Sequence, residues 1–126
     1  MGLIQAMLTL ANPKDKTIQP IEAEAMVDTG SVYLVIPEHV SVQLKLDEYT
    51  KKEVVLADGS HRAVSYVGPV EVRFKNRVAL VGAIVMGQEV LLGAIPMEDM
   101  DLVLLPALRR ADINPANPNL ACGMAK

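Results

Sequence analysis

Ala25-Met26-Val27-Asp28-Thr29-Gly30-Ser31 is a short apolar run that ends in an acid, a hydroxyl, a glycine and a second hydroxyl. An apolar run of this kind reads as the end of a buried strand. The chain then turns at Gly30, where the missing Cβ permits backbone that other residues resist. A carboxylate placed where a core strand meets a tight turn is partly desolvated, which is costly unless its oxygens find donors. The Thr29, Gly30 and Ser31 amides and the Ser31 hydroxyl are local donors. Taken alone, the stretch also fits an Asx-type turn that does no more than cap a strand.

Outward from this stretch the chain reads as short strands separated by turns. Gly2 to Leu10 alternates loosely as a first strand, and Asn12 to Lys16 forms a charged turn. Thr17 to Asp28 is extended, with Pro20 pointing to an edge or bulge near its start. Val32 to Ile36 is β-branched and apolar, and Pro37 opens a single helical turn through Val40. Lys45 to Glu53 mixes both signs of charge and reads as a solvated loop. Val54-Val55-Leu56 and Ala63 to Val67 flank Ala57-Asp58-Gly59-Ser60-His61, and Asp-Gly is a strong hairpin signal.

Val70 to Phe74 alternates apolar with charged residues, Val78 to Met86 returns, and Gly87-Gln88-Glu89 turns again before Val90 to Gly93. Pro96 to Met100 reads as a short helix, and Asp101 to Leu105 as a last core strand closed by Pro106. The pattern around Asp28 is loosely echoed around Gly93. Short strands at such spacing predict an all-β closed barrel over residues 1–105, followed by a tail, 106–126, that wraps the surface or an interface and frays at its end.

Composition narrows the function classes. The 126 residues are 51% hydrophobic but only 3% aromatic with no Trp, so the core must be aliphatic, with the seven methionines mainly filling it. A net charge of −3 gives no footprint for nucleic acid. No stretch reaches the length of a membrane span and no export signal is evident, so the expectation is a cytoplasmic protein without a membrane partner. Cys122 stands alone, which excludes an internal disulfide, and it lies far from either histidine. His39 and His61 lack metal-ligand spacing and read as solvated loop residues, so no metal is expected. Arg109-Arg110 reads as surface.

At Met26-Val27-Asp28-Thr29-Gly30-Ser31 the sequence resembles the single-lobe, retropepsin-like aspartic proteases, whose pattern is two or three apolar residues, then Asp-Thr/Ser-Gly-Ala/Ser. Leu91-Leu92-Gly93 lies where that family carries a second apolar-apolar-Gly landmark, just before a short helix, and the similarity spans roughly residues 3 to 105. The resemblance implies a small acid-protease barrel with a hairpin flap and one short C-terminal helix, one lobe per chain. It implies an aspartic endopeptidase without metal or organic cofactor, acting on peptides or unfolded protein.

Carboxylate-driven peptide hydrolysis needs two acids, one to take a proton from water and one to give a proton to the carbonyl oxygen. Only one such motif is present; Asp58-Gly59-Ser60 lacks the intervening hydroxyl residue and sits at the hairpin tip. The second carboxylate is therefore expected from a second copy of the chain across a twofold axis.

By the resemblance, Asp28 would be the catalytic acid and base, Thr29 would bond across the axis, and Gly30 would allow close backbone approach. Ser31 would donate its hydroxyl to the carboxylate and lean the working range towards acid. Asp58, Gly59 and Ser60 would form the flap tip and, with Ala57 and Ser31, contact substrate. Val32, Leu34, Val81 and Ile84 either line side-chain pockets or pack the core.

Two features depart from the viral members. Ala94-Ile95 stands where they usually carry an arginine that braces the dimer, and the chain continues past Leu105. The same barrel serving as a noncatalytic dimerisation or peptide-binding module is the alternative reading.

Overall fold

Alternation builds the first sheet: along Gln5–Ala11 (β1), Ala6, Leu8 and Leu10 point inward while Gln5 and Met7 face solvent. The computed structural model describes residues 3–125. After β1 come Ile21–Val27 (β2), Leu34–Ile36 (β3), the helix Glu38–Gln43 (α1), Asp47–Val55 (β4), His61–Phe74 (β5) and Arg77–Val85 (β6). Leu91–Leu92 (β7), the helix Ala94–Asp99 (α2), Leu102–Leu105 (β8), a 3₁₀ turn Pro106–Leu108 and Arg110–Ile113 (β9) complete the order.

The sheet runs β4-β5-β6-β3-β7-β2-β1-β9-β8, and an added β5–β1 pairing closes six of these strands into a barrel. β1 meets β2 at Leu8↔Ala23 and β5 at Leu10↔Val72, both antiparallel. β3 lies parallel to β6, and β2 parallel to β7. Closure removes most free strand edges and leaves β4 and β8 at the ends of the order. The expected all-β closed barrel is therefore the observed fold, and its core is aliphatic: Leu8, Leu10, Leu34, Ile36, Val70, Val72 and Leu92 are fully enclosed. Met97 and Met100 join that core, whereas Met7 and Met124 are exposed.

β5 belongs to two structures. Its first half pairs with β4, its second with β1 and β6, and the register against β6 shifts between Val67 and Val70. Gly68 and Pro69 occupy this break, where a missing side chain and a missing amide suit a bulge. The strand thus leaves the barrel and projects with β4 as a hairpin.

Four expectations are corrected. Asp47 to Lys52, read as a charged loop, is strand, because β5 supplies its ladder whatever its side chains are. The extended segment before Asp28 starts at Ile21, after Pro20. Two short helices form, since the turn at Pro37 continues to Gln43 and α2 begins two residues before Pro96. Arg110–Ile113, read as tail, pairs antiparallel with β8 and touches β1 at Gln5↔Arg110.

Beyond β9 the chain is tied down at the β5–β6 turn. Asn76 Nδ2 donates to the Pro118 carbonyl at 2.9 Å, and the Arg77 guanidinium to that of Asn117. The Asp101 carboxylate accepts from Asn114 Nδ2 (3.1 Å), Asn117 Nδ2 (2.7 Å) and the Cys122 amide (3.1 Å). Lys126, at the end expected to fray, and Gly2 of the expected first strand lie outside the described residues. No helix among the described residues is long and apolar enough to cross a membrane.

Candidate active site

Asp28 stands one residue beyond β2, and the strand pairing fixes where it emerges. Met26 pairs with Leu91 and Val27 with Leu92, while the Val27 and Asp28 amides donate to the carbonyls of Ile4 (2.8 Å) and Leu92 (3.0 Å). The turn then folds onto its own acid: the Gly30 amide donates to Asp28 Oδ1 at 2.9 Å, and the Ser31 amide to the Asp28 carbonyl at 3.0 Å.

A second loop, following β7, is stitched to the first. The Ala94 amide donates to the Ser31 carbonyl (2.8 Å) and the Ile95 amide to that of Val32 (2.9 Å). The Asp28 and Gly93 segments thus lie as two parallel strands with their loops bonded together, but the strand-turn-strand echo stops there, since Gly93 leads into α2 and not into a strand. Gly93 is what allows this approach, because a Cβ there would lie 2.3 Å from the Tyr33 carbonyl oxygen.

Two details of the sequence reading change. Gly30 does not take the left-handed conformation; its small size matters because a Cβ would sit 3.1 Å from Asp28 Oδ1. Among the described residues the Ser31 hydroxyl makes no bond to the carboxylate, whose donor is the Gly30 amide.

The acid opens into a groove of about 840 Å³. Asp28, Gly30 and Ser31 lie at one side, with Val32, Tyr33 and Val35; Ile84, Met86 and Leu91 form another wall; Val54, Val55, Leu56 and Ala57 come from the projecting hairpin. Gly87, Gln88 and Glu89, the turn between β6 and β7, also line it. Of the four apolar pocket candidates, Val32 and Ile84 line this groove, whereas Leu34 and Val81 pack inside the barrel.

Thr29 is exposed beside the groove and does not line it. Ala57 lines it, but Asp58, Gly59 and Ser60 do not. Asp58 Oδ1 takes the Ser60 hydroxyl (2.6 Å) and amide (2.8 Å), which hold the Asp58 carboxyl below the ordinary carboxylate range. Gly59 has φ 84°, so the tip needs a glycine there. The tip residues thus shape the turn itself.

Under the hairpin lies a small second core that composition did not reveal. Val35, Val64 and Ile84 are buried there against Tyr33, Val54, Tyr66, Met86 and Leu91. The rings of Tyr33 and Tyr66 meet edge to face with centroids 6.0 Å apart, and the Tyr66 ring lies over Gly82, where a Cβ would come within 2.2 Å of it. Lys52 Nζ, from the segment read as a solvated loop, sits 4.7 Å from the Tyr66 centroid and 5.3 Å from that of Tyr33. The signal available in sequence was the alternation of Lys52 with Val54 on β4.

Among the described residues no group of three or more His, Cys, Asp or Glu side chains is placed to hold a metal. His39 lies on α1, and His61 begins β5 with its Nδ1 2.6 Å from Glu53 Oε1. Asp28, Thr29 and Gly30 are all exposed, and Leu3, Val32 and Ile95 beside them expose large apolar side chains. One pinned, accessible carboxylate per chain can take or give one proton at the groove. The chain matches no protein-family model and no curated protein.

Proposed function

We propose that this protein is a retropepsin-like aspartic endopeptidase that works as a homodimer, each chain giving one Asp28. The observation that carries the reading is the Asp28 carboxylate, oriented by the Gly30 amide and opening into a hairpin-covered groove. A twofold axis beside the exposed Asp28-Thr29-Gly30 loop sets two such carboxylates together. Two carboxylates in contact hold one proton between them. The ionised one takes a proton from water, whose oxygen attacks the peptide carbonyl carbon, while the other gives its proton to the carbonyl oxygen. The tetrahedral intermediate then breaks its C–N bond as the carboxyl that took the water proton gives it to the amine nitrogen and the other carboxylate takes a hydroxyl proton back, restoring the shared-proton pair. The hairpin closes over the peptide and excludes bulk water.

Asp28→Asn keeps the shape and removes the acid. Cleavage of an unfolded protein should fall by about a thousandfold while the variant sediments as the same dimer. Mixed dimers of wild type and variant should be as inactive as the variant, since each dyad needs both acids. A strictly monomeric protein that still hydrolyses peptides would overturn the reading. A second reading, a noncatalytic module that grips an extended segment along a strand edge, is favoured by the position of β4 at the end of the strand order. It predicts peptide binding, no cleavage at any pH, and indifference to Asp28→Asn.

A further inference from the structure

The groove is uneven in charge. Its only charged lining residues are Asp28 and Glu89, with no lysine, arginine or histidine among the described residues that line it. Glu89 is exposed on the β6–β7 turn, and among the described residues it makes no hydrogen bond or ion pair. Glu48, Glu53 and Glu71 are engaged by Lys51, His61 and Arg73, whereas Glu22, Glu24 and Glu38 near this turn, like Glu89, have no such partner among the described residues. Glu89 also borders a neighbouring hollow that holds Glu22 and Glu24 with His39, so further carboxylates lie in the hollow it shares. A further hollow at this turn holds Arg62 together with Glu38 and His39.

We propose that Glu89 is a specificity-determining residue of the groove, selecting peptides that place a lysine or arginine within two residues of the aliphatic side chain seated against Ile84, Met86 and Leu91. The inference rests on the reading of this groove as a peptide site and adds the charge class of the peptide. An extended peptide sends alternate side chains to the same side, so residues two apart meet neighbouring stretches of one wall. Leu91 and Glu89 provide an apolar and an acidic stretch of this kind. An unpaired carboxylate beside the apolar surface attracts an ammonium or guanidinium head while its methylene stem covers the apolar wall. It repels an acidic side chain in the same place.

The test uses two fluorescent peptides of one sequence, with a central Leu-Ala bond and either lysine or glutamate two residues to each side. Cleavage is followed with the wild-type protein, and binding by fluorescence anisotropy with the Asp28→Asn protein. The lysine peptide should be favoured up to about fivefold, the range of an exposed ion pair, and the preference should shrink in 1 M salt, where the screening length is about 3 Å. Glu89→Gln should remove most of the preference and Glu89→Lys should reverse it, with circular dichroism confirming that both variants fold.

Cleavage or binding of both peptides alike by the wild type, or no reversal in folded Glu89→Lys, overturns the inference and leaves the protease reading standing. Glu89-dependent binding without any cleavage supports the inference and removes the protease reading. Neither binding nor cleavage overturns both.

Discussion

A Cβ added at Gly93 would come within 2.3 Å of the Tyr33 carbonyl oxygen and 2.6 Å of that of Ser31. Both neighbours are backbone, so Gly93→Ala must push apart the two loops that the Ala94 and Ile95 amides tie together. Chemical denaturation should show a loss of about 3 kcal/mol, the upper end of ordinary overpacking. Gly30→Ala is a milder case, because its Cβ would meet only Asp28 Oδ1 at 3.1 Å. Stability should hardly change, yet under the proposed protease function a displaced carboxylate should lower kcat by roughly tenfold to a hundredfold with KM nearly unchanged. Steady-state kinetics beside a thermal melt separates these outcomes. At this scale the sequence was readable where chemistry is local: the turn at Asp28 and the short helix after Gly93 are both present. It misled on why Gly30 is glycine, since room beside a side chain is not visible in a residue string.

The β4–β5 hairpin shows where reading by element succeeds and where it stops. The Asp-Gly turn located its tip, because turn chemistry is written in adjacent residues. The strand from Asp47 to Lys52 was missed because its residues are mostly exposed and charged, leaving no apolar period to detect. Its order comes from the ladder to β5 and from Lys52 seated on Tyr33 and Tyr66. Lys52→Met keeps the length of the side chain and removes the charge. With a cation–π contribution of about 0.5–1 kcal/mol, the hairpin should open two- to fivefold more often. Limited proteolysis within residues 56–60 should accelerate by that factor. Gly82→Ala acts from the other side, since its Cβ would displace the Tyr66 ring. Loss of about 1–2 kcal/mol and faster nicking at the same tip are expected. An unchanged nicking rate in both variants would show that the tyrosine pair does not hold the hairpin down.

Across the whole molecule, the barrel and its last segment are joined by one polar cluster that no periodicity announces. Arg77 is 1% exposed and lies 4.0 Å from the Asp101 carboxylate, which gathers Asn114, Asn117 and the Cys122 amide from the chain beyond β9. These partners lie far apart in sequence, so Asn-Pro-rich composition read as a tail wrapping the surface or an interface, with the residues that fasten it not visible. Among the described residues the segment lines no part of the Asp28 groove, and its bonds run to the β5–β6 turn and to Asp101.

The cluster also sets how the molecule should respond to acid. The bonds from Asn114, the Cys122 amide and Asn117, aided by Arg77, hold the Asp101 carboxyl below the ordinary carboxylate range. A carboxyl lowered in the folded state contributes stability that is fully present above its unfolded value, about 3.9, and is lost as pH falls through the folded value. The segment should therefore stay docked at neutral pH and release only below about pH 4. Asp112, lowered chiefly by Lys75, acts in the same direction on the adjoining strand. Hydrogen-exchange protection of residues 114–122 should fall selectively in acid while the strands of the barrel stay protected. Asp101→Asn removes the charge at every pH, so its protection should already be weak at pH 7 and nearly flat down to pH 3. If wild type and variant lose protection together and over the same range, Asp101 is not the residue that fastens the segment.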